Sequence, residues 1–269
     1  RHALQHGEIL QRIARHRDLK VEAESRAAER TRLVRILRAE RLMSHDAATG
    51  SLLAAMATAG VFRLGGTVVG THAFRLYEGE LGLRYRFDDL AQTGDLDIVS
   101  LERLSLVLDD QADPPVEQVL ADFAFEPVPT LDPGPAWRWR QSKSAALVEF
   151  LTPAFGEEGL RPLAALGVSA QALHHLNYLI AEPIPAAVLY RSGVLVQIPR
   201  PERFAIHKLI VAARREARDR VKAEKDRRQA RFLIVALLED RPDDLQDAYQ
   251  DAMSRGPRWQ ERIATTLRL

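Results

Sequence analysis

The chain contains no cysteine, no long apolar run and almost no net charge, and each absence excludes a class of site or protein. Without cysteine, it can form neither disulfide bonds nor thiolate metal sites. No apolar run approaches the roughly 18 residues of a membrane span, so we expect no membrane partner. Lys and Arg total 38 against 37 Asp and Glu, so the overall charge does not point to nucleic acid, although local clusters still could.

The first ten residues, RHALQHGEIL, contain neither an initiator methionine nor the apolar core of a signal peptide. We therefore expect a trimmed chain of a cytoplasmic protein. Its 269 residues, of which 46% are hydrophobic and 28% charged, suffice for one large or two modest globular domains. The oligomeric state stays open.

Three regions follow from the sequence pattern: a helical N-terminal arm (1–47), an α/β core (48–200) and a C-terminal helical domain (201–269). The arm is rich in helix formers and in opposite charges at helical spacing. It is either a solvated helix or an arm that contacts RNA or a partner through its arginines. Those arginines are Arg30, Arg32, Arg35, Arg38 and Arg41. The predicted fold class is α+β, with a mixed β-sheet, flanking helices and a C-terminal helical bundle.

A glycine-rich turn precedes a helix early in the core. We expect Ser51 to cap a short helix over 52–59, VFRLGG (61–66) to form a buried strand, and TVVGTHAFRLYEGE to form a second helix. A strand, a Gly-Gly-Thr turn and a helix are typical of phosphate-binding loops. The glycines let backbone amides approach a ligand, and the helix N-terminus favours an anion.

Two aspartates interrupt the apolar segment QTGDLDIVS (92–100). Residues i and i+2 of a strand share a face, so Asp95 and Asp97 lie side by side while Leu96 points to the opposite face. Two such charges repel, and a divalent cation such as Mg²⁺ would compensate them. The alternative is an edge strand that uses exposed acids to discourage aggregation.

Glu149 in LVEFLTP offers a third carboxylate, because Val148 and Phe150 would face the core and leave Glu149 on the opposite face. If this strand neighbours the one with Asp95 and Asp97, the three acids converge. Three carboxylates can hold two Mg²⁺ ions about 3.5–4 Å apart, as in phosphoryl transfer. Taken alone, Glu149 is better explained as a half-exposed strand residue.

Taken together, these segments resemble the polymerase-β-type nucleotidyltransferase superfamily, and more closely a bacterial family of nucleotidyltransferase-fold proteins. The resemblance covers roughly residues 45–240, and abortive-infection nucleotidyltransferase toxins form a related group. It is carried by LGGTVVGTHAFRLY (64–77), TGDLD (93–97), VEFLTP (148–153) and RFAIHKLIVAARR…KAEKDRRQA (203–230).

The resemblance implies a nucleotidyltransferase of the EC 2.7.7 class that uses an NTP and Mg²⁺, with Mn²⁺ as the alternative ion. Its acceptor hydroxyl would be on RNA, a tRNA end or a protein. Asp95 and Asp97 would bind the metal, with Glu149 as the third carboxylate and candidate base. The positions implied at the nucleotide are Gly65, Gly66, Thr67, Thr93, Lys208, Lys225 and Asp226.

Within that set, Gly66 and Thr67 would hold the triphosphate, and Lys208 and Lys225 would neutralise it. Asp226 would orient a lysine or bind a metal's water. The residues alone support Lys208, which lies at the rim of an apolar helix face and would need an anion if buried.

Two features depart from the family pattern. The stretch between Thr67 and Asp95 is longer than is common, and we expect its segment EGELGLRYRFDDLAQ to form a loop or hairpin over the site. Glu149 stands where many relatives have Asp. Two alternatives to an enzyme stay open: a catalytically silent nucleotide- or RNA-binding module, and a helical scaffold in which the three acids are scattered.

Overall fold

The computed structural model describes residues 2–84, 94–101, 110–129 and 136–267, with side chains from residue 10 onward. It shows a mixed β-sheet with flanking helices, preceded by one long helix and followed by a group of helices. The predicted fold class is therefore confirmed. No helix in these ranges combines the length and apolar character needed to cross a bilayer.

The helices and strands of the described residues are numbered in chain order. The helices are α1 (His2–Ala39), α2 (Ala47–Thr58), α3 (Gly70–Leu81), α4 (Val116–Asp122), α5 (Leu176–Leu179), α6 (Pro201–Arg214), α7 (Arg220–Asp240), α8 (Pro242–Ser254) and α9 (Pro257–Leu267). The strands are β1 (Thr67–Val68), β2 (Asp95–Val99), β3 (Phe125–Pro127), β4 (Arg138–Gln141), β5 (Leu147–Pro153), β6 (Gly159–Leu163), β7 (Val168–Leu173), β8 (Ile184–Val188) and β9 (Val194–Ile198).

Strand β5 organises the main sheet, whose order is β1-β2-β5-β4-β3. It runs parallel to β2 on one side. On its other side β4 pairs antiparallel with the first half of β5, and β7 pairs parallel with the second half. Strand β6 extends the sheet beyond β7, and β8 and β9 form a separate hairpin. The central position of β5 places Glu149 between two neighbouring strands.

The core packs against the apolar face of β2 and β5. Leu96, Ile98, Val148 and Phe150 are at most 3% exposed, which agrees with the alternation predicted for both strands. Helices α3 and α6 meet through stacked and edge-on aromatic rings, and Phe204 is central to that contact. The site described below therefore rests on a rigid, well-packed sheet and helix pair.

Helix α1 is mostly solvated. Its side chains from Leu10 to Ile36 include several large apolar residues that are exposed, and among the described ones only Val34 is buried. Charged pairs such as Glu29 with Arg32 lie along its surface at helical spacing. This pattern matches the solvated-helix interpretation of the arm, and whether the arm contacts RNA stays a prediction.

Helix α2 begins four residues before the predicted cap. Asp46 is the N-cap, and its side chain accepts a hydrogen bond from the backbone N–H of Thr49 at 2.9 Å. Ser51 lies inside the helix instead. The prediction was wrong because Asp46 satisfies a free N–H of the first turn and the alanines that follow are strong helix formers.

Residues 61–65 do not form the predicted strand. They coil in successive turns, in which Val61 donates to the carbonyl of Met56 and Leu64 donates to that of Gly60. Positive φ angles at Gly60 and Gly65 (both +91°) allow the chain to reverse at each end of this segment. The apolar run is buried in turns, and the strand begins only at Thr67.

Candidate active site

The pairing of β2 with β5 brings the predicted carboxylates together. Asp97 lies directly opposite Glu149 in the parallel register, and Asp95 lies opposite Leu147. Register partners on neighbouring parallel strands point to the same face, as do residues i and i+2 of one strand. Asp95, Asp97 and Glu149 therefore share one face of the sheet.

The electrostatics of Asp97 reflect this clustering. Burial, followed by repulsion from Glu149 and Asp95, raises the pKa of Asp97 to about 7. The charges of Lys208 and Lys222 act in the opposite direction, but they do not compensate fully. Burial and the neighbouring carboxylates therefore disfavour the ionised form of Asp97 more than the lysines favour it.

Glu149 is engaged by an arginine. The Nε atom of Arg138 on β4 lies 2.6 Å from Oε1 of Glu149. Burial raises the pKa of Glu149, and the charge of Arg138 opposes this rise without reversing it. Among the described residues, no three His, Asp or Glu side chains are arranged to hold a metal ion as they stand. Glu149 contacts Arg138 in the arrangement observed.

Helices α6 and α7 hold a buried cation–carboxylate group beside the acids. Lys208 Nζ lies 2.6 Å from Asp226 Oδ1, and Arg215 Nε lies 3.0 Å from Asp226 Oδ2. Burial alone would raise the pKa of Asp226, but Lys208 and Arg215 outweigh it and hold this pKa below its usual value. The Asp226 carboxylate thus fixes the position of the Lys208 ammonium, which acts electrostatically on Asp97.

The first two turns of α7 add further positive charge. Lys222 is exposed and acts on both Asp97 and Glu149. Lys225 is half-buried, and the charge of Asp95 acts to raise its pKa. Burial and repulsion from Lys208 lower the pKa of Lys225. The acids of the sheet therefore face a set of lysines on α6 and α7.

Gly70, which the sequence pattern did not single out, lies against Asp97. It is the first residue of α3 and has a φ of +63°. A Cβ atom at this position would lie 2.6 Å from Asp97 Oδ2. The backbone N–H of Val69 donates to the Asp97 carbonyl at 3.0 Å. Glycine is thus required where the N-terminus of α3 approaches the carboxylate.

The Gly-Gly-Thr turn lies beyond the carboxylates, toward the C-terminal end of β2. Thr67 pairs with Val99, two residues beyond Asp97 on β2, and Gly65 approaches Leu101. Gly66 is buried, and a Cβ there would lie 2.7 Å from the Val61 carbonyl. Thr67 is 1% exposed. These three residues lie at the C-terminal end of β2, and it is Gly70 that contacts Asp97.

Two predictions fall outside the described residues. One concerns Thr93. The other concerns the segment 78–92, predicted to cover the site, most of which lies outside the described residues.

Lys222, Arg215 and Gly70 are site residues that sequence reasoning missed. The helix predicted from Thr67 begins only at Gly70, because Thr67 and Val68 form a strand. A second Gly-Thr pair, Gly70–Thr71, inside the predicted helix was the signal available for Gly70.

No curated protein matches the chain significantly. A crystal structure of an antigenic nucleotidyltransferase-like protein from Paracoccidioides brasiliensis aligns with 77% of this chain and 94% of its own, at 13% identity and a TM-score of 0.37. This similarity is too distant to support an argument.

The sequence model of a nucleotidyltransferase family matches residues 47–254, which is more than three quarters of the chain. The match begins at α2 and ends with α8, so it includes the sheet with its three acids and the lysines that face them. The chain therefore belongs to this nucleotidyltransferase family.

Proposed function

We propose that the protein transfers a nucleoside monophosphate from an NTP to a hydroxyl acceptor in a Mg²⁺-dependent reaction. The observation that carries the proposal is the register of β2 and β5, which sets Asp97 directly beside Glu149 with Asp95 on the same face. Lysines from two helices face this acidic surface. Family membership supports nucleotidyl transfer in general, and the metal, the acceptor and the roles below are our inference.

The carboxylates fit a hard divalent cation. Asp95 and Asp97 offer oxygen donors of the kind that Mg²⁺ and Mn²⁺ prefer. Burial and the neighbouring carboxylates Glu149 and Asp95 raise the pKa of Asp97 to about 7, and a bound cation would favour its ionised form. When bound, such an ion supplies a Lewis acid for phosphoryl oxygens and lowers the pKa of a bound hydroxyl. Glu149 would become a third ligand, beside Asp95 and Asp97, once its ion pair with Arg138 is broken.

The protein's own residues would bind and orient the triphosphate. Lys208, fixed by Asp226, and Lys222 and Lys225 on α7 present positive charge near the acids. The N-terminus of α3 adds backbone N–H groups beside Asp97, where an anion is favoured. These groups would hold the phosphate chain against the carboxylates.

In the reaction, the acceptor oxygen forms a bond to the α-phosphorus while the bond from that phosphorus to the pyrophosphate oxygen breaks. Glu149 would take the proton of the attacking hydroxyl, because its pKa is raised and it lies beside Asp97. Release of Glu149 from Arg138 would have to precede this step, and the freed arginine would then be available to a phosphate.

The test uses an NTP labelled at the α-phosphate, Mg²⁺ and separate RNA and protein acceptors. We expect the wild-type protein to transfer label and the double variant Asp95→Asn/Asp97→Asn to lose transfer, because both substitutions remove charge with little change in size. Asp110→Asn, which changes an aspartate ion-paired with Arg63, serves as the control and should keep transfer. Equal labelling by wild type and the double variant would falsify the proposal.

A silent nucleotide-binding module is the second candidate. The Glu149–Arg138 ion pair favours it, because this contact occupies the third carboxylate. Calorimetry with an NTP, with and without Mg²⁺, separates the two candidates. Tight NTP binding that persists without Mg²⁺, with no product from any acceptor, would favour the silent module. Binding that requires Mg²⁺ together with product formation supports the enzyme.

A further inference from the structure

A cavity rich in arginine lies where the end of α6 meets the start of α9. Its volume is about 510 Å³. Ala154, directly after β5, lines one part, and residues around α5 line another. The cationic residues of its wall are Arg214, Arg255, Arg258 and Arg262. None of these residues belongs to the carboxylate site described above.

The charges in this cavity are only partly neutralised. Arg255 pairs with Asp251 at 3.0 Å, and Arg214 lies 3.4 Å from Glu158. Neither Arg258 nor Arg262 has an ion pair within 4.0 Å among the residues that the structure describes. The cavity therefore carries an excess of positive charge.

The arginines also repel one another. Burial, and then the charges of Arg214 and Arg258, lower the pKa of Arg262. Like charges are brought this close only at a free-energy cost, and a bound anion would remove that cost. A phosphate group suits several guanidinium groups at once because each can donate two parallel hydrogen bonds to its oxygens.

Aromatic packing holds the wall in place. The Trp259 ring lies edge to face with His175, at 4.5 Å between centroids, and with Tyr178 at 5.3 Å. Arg262 Nη1 lies 2.6 Å from His175 Nε2. Burial, followed by Arg214 and Arg262, lowers the pKa of His175 to about 4, so its ring is neutral and can accept this hydrogen bond. Arg262 is thus positioned before any ligand binds.

The cavity lies apart from the carboxylates, but β5 and α6 extend from the carboxylate site to the cavity. Ala154 lies five residues after Glu149, just beyond the end of β5, which is roughly 16 Å along the strand at 3.3 Å per residue. Arg214, the last residue of α6, directly precedes Arg215, which donates a hydrogen bond to Asp226. Because side chains alternate along a strand, an offset of five residues places Ala154 on the opposite side from Glu149. A chain with regularly spaced phosphates would therefore have to pass the C-terminal end of β5 to reach Glu149 from the cavity.

We propose that this cavity binds the phosphate backbone of a single-stranded nucleic acid, which serves as the acceptor polymer. The acceptor role rests on the proposed nucleotidyl transfer, whereas the binding itself does not. The positive charge and fixed guanidinium groups favour phosphate, and the partly exposed Trp259 offers an apolar surface for a sugar or base. An acidic peptide is the competing ligand that the test must separate.

The test measures the binding of a fluorescent single-stranded oligonucleotide of about 12 nucleotides, a length within the range of single-strand binding sites. We compare Arg258→Glu with the matched charge reversal Arg231→Glu on α7. Both arginines are exposed, but Arg231 does not line the cavity. Arg214→Gln provides a second, milder change inside it.

We expect Arg258→Glu to weaken binding by about tenfold or more and Arg231→Glu by about twofold or less. Losing one phosphate contact should also reduce the slope of log affinity against log salt by about 0.7. Arg214→Gln should reduce the slope similarly. Thermal unfolding checks that each variant is folded.

Asp95→Asn/Asp97→Asn separates this inference from the proposed function. It should bind the oligonucleotide as the wild type does even though transfer is lost. Equal weakening by Arg258→Glu and Arg231→Glu would overturn the cavity as the binding site. Complete displacement by ATP or by polyglutamate, at matched negative charge, would overturn the assignment to a nucleic acid strand.

Discussion

At the scale of single residues, Gly70 has the most direct link between backbone conformation and the site. Its φ of +63° lies in the left-handed region, and its Cα faces Asp97 Oδ2 where a side chain would clash. Gly82, at the other end of α3, has nearly the same φ of +64°, but a Cβ added there would meet no heavy atom within 4 Å. Substitutions at these two glycines therefore distinguish the cost of a left-handed backbone, which both share, from the cost of a clash with Asp97, which only Gly70 has.

We expect Gly70→Ala to lower the free energy of unfolding by more than Gly82→Ala does. Both substitutions place an alanine in the left-handed region, at a cost of roughly 1 kcal/mol, and Gly70→Ala must also displace the Asp97 carboxylate. Urea unfolding measures the stability of each variant, and the initial rate of transfer measures function. If the two variants lose equal stability and retain equal rates, the contact with Asp97 has no role.

At the scale of elements, Asp226 connects α6 with α7 through two cations. Its side chain is 4% exposed, and it accepts from Lys208 and Arg215. Asp251 on α8 likewise contacts two arginines, Arg203 and Arg255, but its side chain is 31% exposed. Asp226 and Asp251 therefore show how burial changes the contribution to stability of a carboxylate that contacts two cations.

Asp226→Asn should destabilise the fold by about 3 kcal/mol, because it leaves the Lys208 charge buried without its partner. Asp251→Asn should cost about 1 kcal/mol or less, because water screens the more exposed pair. The measurement is the free energy of unfolding in urea. The double variant Lys208→Met/Asp226→Asn should recover part of the loss, and equal losses from Asp226→Asn and Asp251→Asn would contradict this role of burial.

The elements also show what the sequence could and could not predict. Alternation in β2 and β5 placed Asp95, Asp97 and Glu149 on one face of their strands, because side chains alternate along a strand. The register between these strands depends on tertiary packing, so the convergence of the acids was only conditional. The turn after Gly60 and the contact of Gly70 likewise depend on residues distant in sequence. Strand β6, GLRPL, contains Gly and Pro and lacks a strand pattern.

At the scale of the whole molecule, three buried histidines link folding to pH. Burial lowers the pKa of His45 to about 4, and that of His72 and His207 to about 3. The rings of His45 and His72 stack at 5.1 Å between centroids. Both nitrogens of His45 lack a hydrogen-bond partner among the described residues. The folded protein therefore keeps these rings neutral under conditions in which an unfolded chain would protonate them.

The sign of the pH effect follows from these pKa values. An unfolded histidine titrates near 6.5, so below this pH the unfolded state binds protons that the folded state excludes. Stability must then fall as the pH falls from about 6.5 toward about 4. Asp97, Glu149 and Glu202 act in the opposite direction, because their pKa values are raised in the folded state. His175, whose pKa is lowered to about 4, acts in the same direction as the three buried histidines.

We expect the free energy of unfolding to fall between pH 7 and pH 5 by up to about 1.4 kcal/mol per pH unit for each of these histidines, less the opposing contribution of the carboxyl groups whose pKa is raised. The double variant His45→Gln/His72→Gln should have a smaller slope of the free energy of unfolding against pH, because it lacks the contributions of two histidines. This holds whatever the stability of the variant at pH 7. His16→Gln on α1 is the control, since His16 is exposed and unfolding leaves its contact with water unchanged. Urea unfolding at several pH values gives the slopes. An unchanged slope in the double variant would show that other groups control the acid sensitivity of the fold.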